Sequence, residues 1–289
     1  MIRAIRRFVA SLTGRRKVIF FVGIILLCVL AGAIGVYAQN YYKYSATDPL
    51  MIGINIGSEK TAEELAILEA EFNSLFQNNI TINGTPTDVD KLQETKNYVY
   101  SGYTFEQNDE TYYSVTAAIP LINIDSEKAK EINQEIRGTF YEKANEVMRQ
   151  KNERIVYNVT YQAYINQDIL SLVIKSSLKQ GKQPEKVSIK TYNYSIPENK
   201  LLNILDMIEL KKTTKDKVQS TINKEIKQAD TNAKIIAAEY GNLYERKLDD
   251  PMYKVENTAN FFLTDDGYVY ILYAYGNSSY TNEMDIVIF

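Results

Sequence analysis

The sequence predicts an α+β domain, an antiparallel sheet with packed helices, preceded by a single transmembrane helix. Three observations carry this. Val18–Ala38 is an uncharged apolar run. Ile155–Ile165 alternates apolar and polar residues at period two, then turns at Asn166-Gln167-Asp168 and returns. Apolar residues recur at helical spacing after Asp125 and after Thr213-Thr214. Strands grouped around helices, without strand–helix alternation, point to α+β.

At about 1.5 Å per residue, Val18–Ala38 reaches roughly 30 Å, enough to cross a bilayer's hydrocarbon core. Met1–Lys17 contains Arg3, Arg6, Arg7, Arg15, Arg16 and Lys17 and no acid. Arg15, Arg16 and Lys17 directly before the run predict that residues 1–17 form a short cytoplasmic tail and residues 39–289 lie outside. Ile2, Ile5, Phe8, Val9 and Leu12 opposite the arginines predict an amphipathic stretch on the inner leaflet. The run exceeds the 7–15 apolar residues of a cleaved signal, which favours a retained anchor. Val36 and Ala38, either side of Tyr37, also match the two recognition positions of signal peptidase, so cleavage stays open.

Residues 39–97 read as a juxtamembrane linker. Within it Thr61-Ala-Glu-Glu64 has capping-box spacing, and Leu65, Leu68, Phe72, Leu75 and Phe76 predict a helix near 61–77. Residues 98–289 form the predicted domain, its first half about 98–185 and its second about 186–289. Tyr98–Phe105 and Thr111–Pro120 read as strands joined at Gln107-Asn108-Asp109. Asp125 is placed to cap a helix running to about Gln150, with Ala129, Ile132, Ile136, Phe140, Ala144 and Val147 on one face. Ile155–Ile165 pairs with Ile169–Leu178, whose Leu170, Leu172 and Ile174 point inward. Lys186–Ser195 is a further strand, followed by a short helix near Leu205–Leu210. A longer helix capped by Thr213 or Thr214 carries Val218, Ile222 and Ile226, with a second helical stretch over Ala229–Tyr244. Asn260–Thr264, Tyr268–Tyr275 and Met284–Phe289 close the chain as strands, with Asp265-Asp266-Gly267 as a hairpin turn.

Composition narrows function. Of 289 residues, 45% are hydrophobic and 24% charged, which suits a packed domain. Net charge is −3, and the first seventeen residues carry +6, so the rest carries −9. That acidity argues against nucleic acid and favours a basic partner. The chain has no His, and its one Cys, Cys28, lies in the apolar run. The usual general base, Ser-His-Asp and Cys-His arrangements and most zinc sites are thereby excluded. No EF-hand spacing is present. No catalytic residue, metal ligand or cofactor is predicted. Asp249-Asp250 and Asp265-Asp266 are adjacent carboxylate pairs, and both read as turns. Tyr is abundant, 23 against no Trp. Tyr suits contact surfaces, since its ring buries while its hydroxyl stays wet. Tyr273, Tyr275 and Tyr280, in and after the last hairpin, are the candidate ligand-binding residues.

Four segments together resemble a known pattern: Tyr112–Ile136 (YYSVTAAIPLINIDSEKAKEINQEI), Tyr161–Ile174 (YQAYINQDILSLVI), Thr191–Ile208 (TYNYSIPENKLLNILDMI) and Asn260–Gly276 (NFFLTDDGYVYILYAYG). They resemble the extracytoplasmic region shared by RsiV-type anti-sigma-V factors and the accessory part of PdaC-type peptidoglycan deacetylases, over about Tyr98 to Phe289. The resemblance implies an α+β domain at a bacterial envelope, binding a lysozyme-like protein or a wall ligand, with signal peptidase cutting near Ala38. The deacetylase's His ligands have no counterpart here. The 17-residue tail is shorter than a sigma-binding segment, and Tyr273–Tyr280 lacks the family's Pro-Tyr-Ala turn. Three functions therefore stand: a non-catalytic membrane-anchored sensor or binding protein, a wall-active accessory domain or His-independent carboxylate hydrolase, and an anti-sigma factor with a minimal tail.

Overall fold

The structure, a computed structural model, describes residues 98–241, 243–265 and 267–289. The tail at 1–17, the apolar run at 18–38 with Val36 and Ala38, and the linker with its helix near 61–77 lie outside the described residues. Among the described residues, no helix is long and apolar enough to cross a membrane.

Strands β1 (Val99–Asp109) and β2 (Tyr113–Ile122) form a hairpin. Its turn comes after Asp109, later than the sequence predicts. The Asp109 carboxylate accepts from the amides of Thr111 and Tyr112 at 2.9 and 3.0 Å, which pins the turn there. The next helix is interrupted: α1 (Glu127–Ile136), a π-helical turn (Arg137–Tyr141), then α2 (Glu142–Arg149). Ser126, not Asp125, is its cap, accepting from the Ala129 amide at 3.1 Å. The predicted stripe is buried in full: Ala129, Ile132, Ile136, Phe140, Ala144 and Val147.

Strands β3 (Ile155–Asn166), β4 (Ile169–Gln180), β5 (Lys186–Ser195) and the short β6 (Lys200–Leu201) complete a six-stranded sheet in chain order. All neighbours are antiparallel except β2 and β3, which run parallel from Tyr113 beside Ile155 to Ala117 beside Val159. The sheet is therefore mixed, which corrects the purely antiparallel expectation. Parallel neighbours need a long crossover, and α1–α2 is that crossover. Strand β5 pairs with β4 along its whole length, so the division at 185/186 falls on a hairpin inside one sheet.

Asn203 and Asp206 form a capping box that starts α3 (Ile204–Leu210). Thr214 caps α4 (Lys215–Tyr240), which runs unbroken through what the sequence reads as two helical stretches. Strands β7 (Phe261–Leu263), β8 (Val269–Ala274) and β9 (Met284–Ile288) make a second, antiparallel sheet.

Three apolar clusters show how these pieces stack. One face of the large sheet meets α1–α2 through Val115, Ile119, Tyr157, Leu172 and Tyr194. Its other face, at Val173 and Ile189, meets Phe262, Leu272, Met284 and Ile286 of the small sheet. The small sheet's remaining face, with Val269, Ile271 and Val287, packs on Val218, Ile222 and Ile226 of α4. The layers run helix, sheet, sheet, helix, so the small sheet is covered on both faces. Strand β4 is buried on both faces too, which adds Ser171 and Val173 to the predicted inward set.

A polar seam joins the sheets. Ser171 donates to Asn193 Oδ1 at 2.6 Å and accepts from the Leu263 amide at 3.0 Å. Asn193 donates to the Phe261 carbonyl at 2.7 Å, and Thr191 accepts from the Phe261 amide at 3.0 Å. The free edge of β7 is thus satisfied by side chains of β4 and β5. The loop after β8 seals part of β5 in a related way. Asn277 accepts from the Ile189 amide at 2.9 Å and donates to the Ile189 carbonyl at 3.0 Å. Gly276 lies so close that a Cβ built on it would stand 1.7 Å from the Val187 carbonyl oxygen. Gly276→Ala should therefore lower stability by about 3 kcal/mol in urea denaturation. Gly138→Ala, where a Cβ meets nothing within 4 Å, should change it by less than about 1 kcal/mol.

Candidate functional site

The last hairpin was the sequence's candidate surface, and the structure separates its three tyrosines. Tyr273 and Tyr275 are 4% and 1% exposed, packed toward α4, while Tyr280 is 44% exposed. The correction has a physical reason. Alternation in β8 puts Tyr270, Leu272 and Ala274 toward the large sheet, and Val269, Ile271 and Tyr273 toward the helix, and both sides are interior. A ligand arriving from solvent meets only Tyr280, whose ring has the Lys186 ammonium 5.6 Å from its centroid.

Tyr275 belongs to a buried ionic cluster built by three segments. Arg246, in the chain after α4, is fully buried at its side chain, as is Asp285 on β9. Arg246 Nε donates to Asp285 Oδ2 at 2.7 Å and Nη2 to Oδ1 at 3.2 Å, the fork geometry a guanidinium favours. Nη1 donates to the Tyr244 carbonyl at 2.7 Å and to Glu283 Oε2 at 3.1 Å. The second oxygen of Glu283 accepts from the Tyr244 amide at 2.7 Å. The Tyr275 hydroxyl donates to Asp285 Oδ2, and the hydroxyls of Tyr275 and Tyr253 lie 2.8 Å apart. The Tyr244 ring stacks on Tyr275 at 3.9 Å, and the guanidinium sits 4.9 Å from the centroid of the Tyr275 ring.

Burial outweighs the pull of the Arg246 guanidinium and leaves the Asp285 carboxyl raised to about 6, so Asp285 is ionised at neutral pH. Burial works against the charge on Arg246, but the Asp285 carboxylate outweighs it and holds Arg246 firmly protonated. Burial and the nearby carboxylate raise Tyr275, and burial raises Tyr253 and Tyr273, so all three stay neutral. Each carboxylate, the guanidinium and the Tyr275–Tyr253 pair is already committed to a neighbour in the interior. The arrangement locks the chain after α4 to the final strand. Sequence reading missed Arg246, Glu283 and Asp285. The signal was present: Asp285 interrupts Met-Asp-Ile-Val-Ile-Phe, and an acid within an apolar strand needs a cation.

Among the described residues, no group of three or more Asp, Glu or Cys side chains is placed to hold a metal. Asp250 accepts from the Met252 amide at 2.9 Å and so caps a turn, as its sequence context predicts. The hairpin containing Asp265 is closed by Gly267 at φ 90°, whose amide donates to the Thr264 carbonyl at 3.0 Å.

No protein-family model and no curated protein matches this chain. Among solved structures it is similar to a DUF3298 family protein from Pseudomonas aeruginosa PAO1 at 15% identity and a TM-score of 0.39, over 63% of this chain and 83% of that one. It is also similar to a member of the DUF3298 family from Bacteroides fragilis at 13% identity and a TM-score of 0.26. That match covers 50% of this chain and 54% of the other.

Replacing Arg246 with Leu strands two interior carboxylates and should cost about 3–5 kcal/mol at pH 7. Without its cation, Asp285 takes up a proton in the folded state at a higher pH than in the unfolded chain. Asp285 is already raised to about 6 beside Arg246 and rises further without it. A group raised on folding loses its stabilising share as pH rises, so part of the deficit relative to the parent should return as pH falls from 7 towards 6. Urea denaturation of Arg246→Leu and the parent at pH 7 and 5 measures both effects. Tyr275→Phe, which removes one donor, should cost about 1–3 kcal/mol.

Proposed function

We propose that this chain is a non-catalytic binding or sensor protein, held in a membrane by Val18–Ala38 with residues 39–289 outside at a bacterial envelope. The observation that supports this most is the uncharged run behind Arg15, Arg16 and Lys17. Lipid accepts such a helix and leaves the cationic flank on the cytoplasmic side. The exterior, with its −9 charge, suits a basic protein such as a lysozyme, or a cationic group of the wall. The ionised groups in the last hairpin serve as internal ties, which leaves recognition to the outer surface.

Two measurements test the reading. Protease added to intact cells should remove the body of the chain, and full protection of residues 98–289 would overturn the orientation. The full chain in lipid nanodiscs should bind lysozyme in calorimetry at 20 mM salt, and binding should weaken at least tenfold by about 200 mM. No heat at low salt would exclude that partner. Reducing ends released from peptidoglycan would favour a wall hydrolase instead.

A further inference from the structure

An open cavity of about 330 Å³ lies where α4 begins beside the end of β9. Its apolar wall is Val218, Ile288 and Phe289. Val218 is 1% exposed, whereas Ile288 and Phe289 are half-buried, so the wall offers apolar surface to an occupant. Its polar rim is Lys211, Lys217, Thr213 and Thr221. The described residues that line it include two lysines and no acidic side chain.

Those cations differ in how they are held. Lys211 Nζ donates to the Gly267 carbonyl at 2.5 Å, at the turn between β7 and β8. This bond fixes the ammonium at the rim and leaves it two further protons to donate. Among the described residues, the Lys217 ammonium has no ion-pair or hydrogen-bond partner. The same holds for the Thr213 hydroxyl. Thr221 spends its proton on the Lys217 carbonyl at 3.1 Å, so toward the cavity it is an acceptor only. Three residues with hydrogen-bond donors, Lys211, Lys217 and Thr213, thus line a cavity with an apolar wall, in a chain whose residues after Lys17 carry a net charge of −9.

We propose that this cavity binds a small amphiphile through its carboxylate, with Lys211, Lys217 and Thr213 on the anion and Val218, Ile288 and Phe289 against its apolar body. Charge complementarity selects the anion: a neutral alcohol would leave the ammonium groups unpaired, and an amine would be repelled. The volume sits at the lower end of ligand pockets and limits the occupant to a short chain. An open site with lysines still in contact with water gives modest affinity, with a Kd on the order of 1 mM for such a fragment. The inference is independent of the membrane-anchored reading.

The test uses the full chain in zwitterionic nanodiscs with labelled isoleucine and valine methyl groups. Hexanoate is the probe, and hexan-1-ol the control that partitions into lipid without charge. Hexanoate should shift the methyl signals of Val218 and Ile288 and saturate in the low-millimolar range, and hexanol should not. Lys211→Gln with Lys217→Gln should weaken hexanoate at least tenfold, and Lys224→Gln, an exposed change elsewhere on α4, should leave it unchanged. Equal responses to hexanoate and hexanol, undiminished binding in the double variant, or no shift by 20 mM would each overturn the proposal.

Discussion

Covering a three-stranded sheet on both faces is the constraint on which this domain depends. In such a sheet the side chains of β8 and β9 are buried whichever face they take, apart from the half-buried Tyr270 and Ile288. Every polar group there must find its partner inside. The ion cluster and the polar seam are the two forms of that satisfaction. Toward α4, Asp285 and Tyr275 are answered by Arg246 and Tyr253. Toward the large sheet, the edge of β7 is answered by Ser171, Thr191 and Asn193.

The two solutions differ in energetic character. The seam exchanges hydrogen bonds to water for bonds of similar kind, and its net gain is modest, about 1 kcal/mol per bond. The ionic cluster removes full charges from water, and its fork geometry and the added Tyr275 hydroxyl offset a large desolvation cost. It does little to raise stability above what an apolar cluster would give. It does fix which segment sits where, because a misplaced Arg246 or Asp285 would be left alone in the interior.

Much of the architecture was legible because it follows from period. The stripe from Ala129 to Val147 and the alternation from Ile155 to Tyr161 could be buried in only one way. Lys186–Ser195 and the capping at Thr214 were readable for the same local reason. The parallel pairing of β2 with β3 was not, since pairing partners lie far apart in sequence and periodicity is blind to direction. Nor was the fate of the tyrosines. Tyr273 and Tyr275 look the same in sequence whether their face meets water or a helix, and only the layer of α4 decides. Asp285 could have been singled out as an acid in an apolar strand, but its partner at Arg246 is 39 residues away. The cavity beneath Lys211 and Lys217 was hidden too, because its walls come from a helix start and the edge of a sheet.

The seam also gives assembly a direction. The strand it serves, Phe261–Leu263, depends on hydroxyls and an amide that come 68 to 92 residues earlier in the chain. A chain delivered from its N-terminus has completed β1 to β5 before β7 emerges, so the large sheet can act as a template on which the small one is laid. Reversing the order would expose a short strand whose edge has nothing to hold it. Topology and vectorial synthesis therefore run the same way in this molecule.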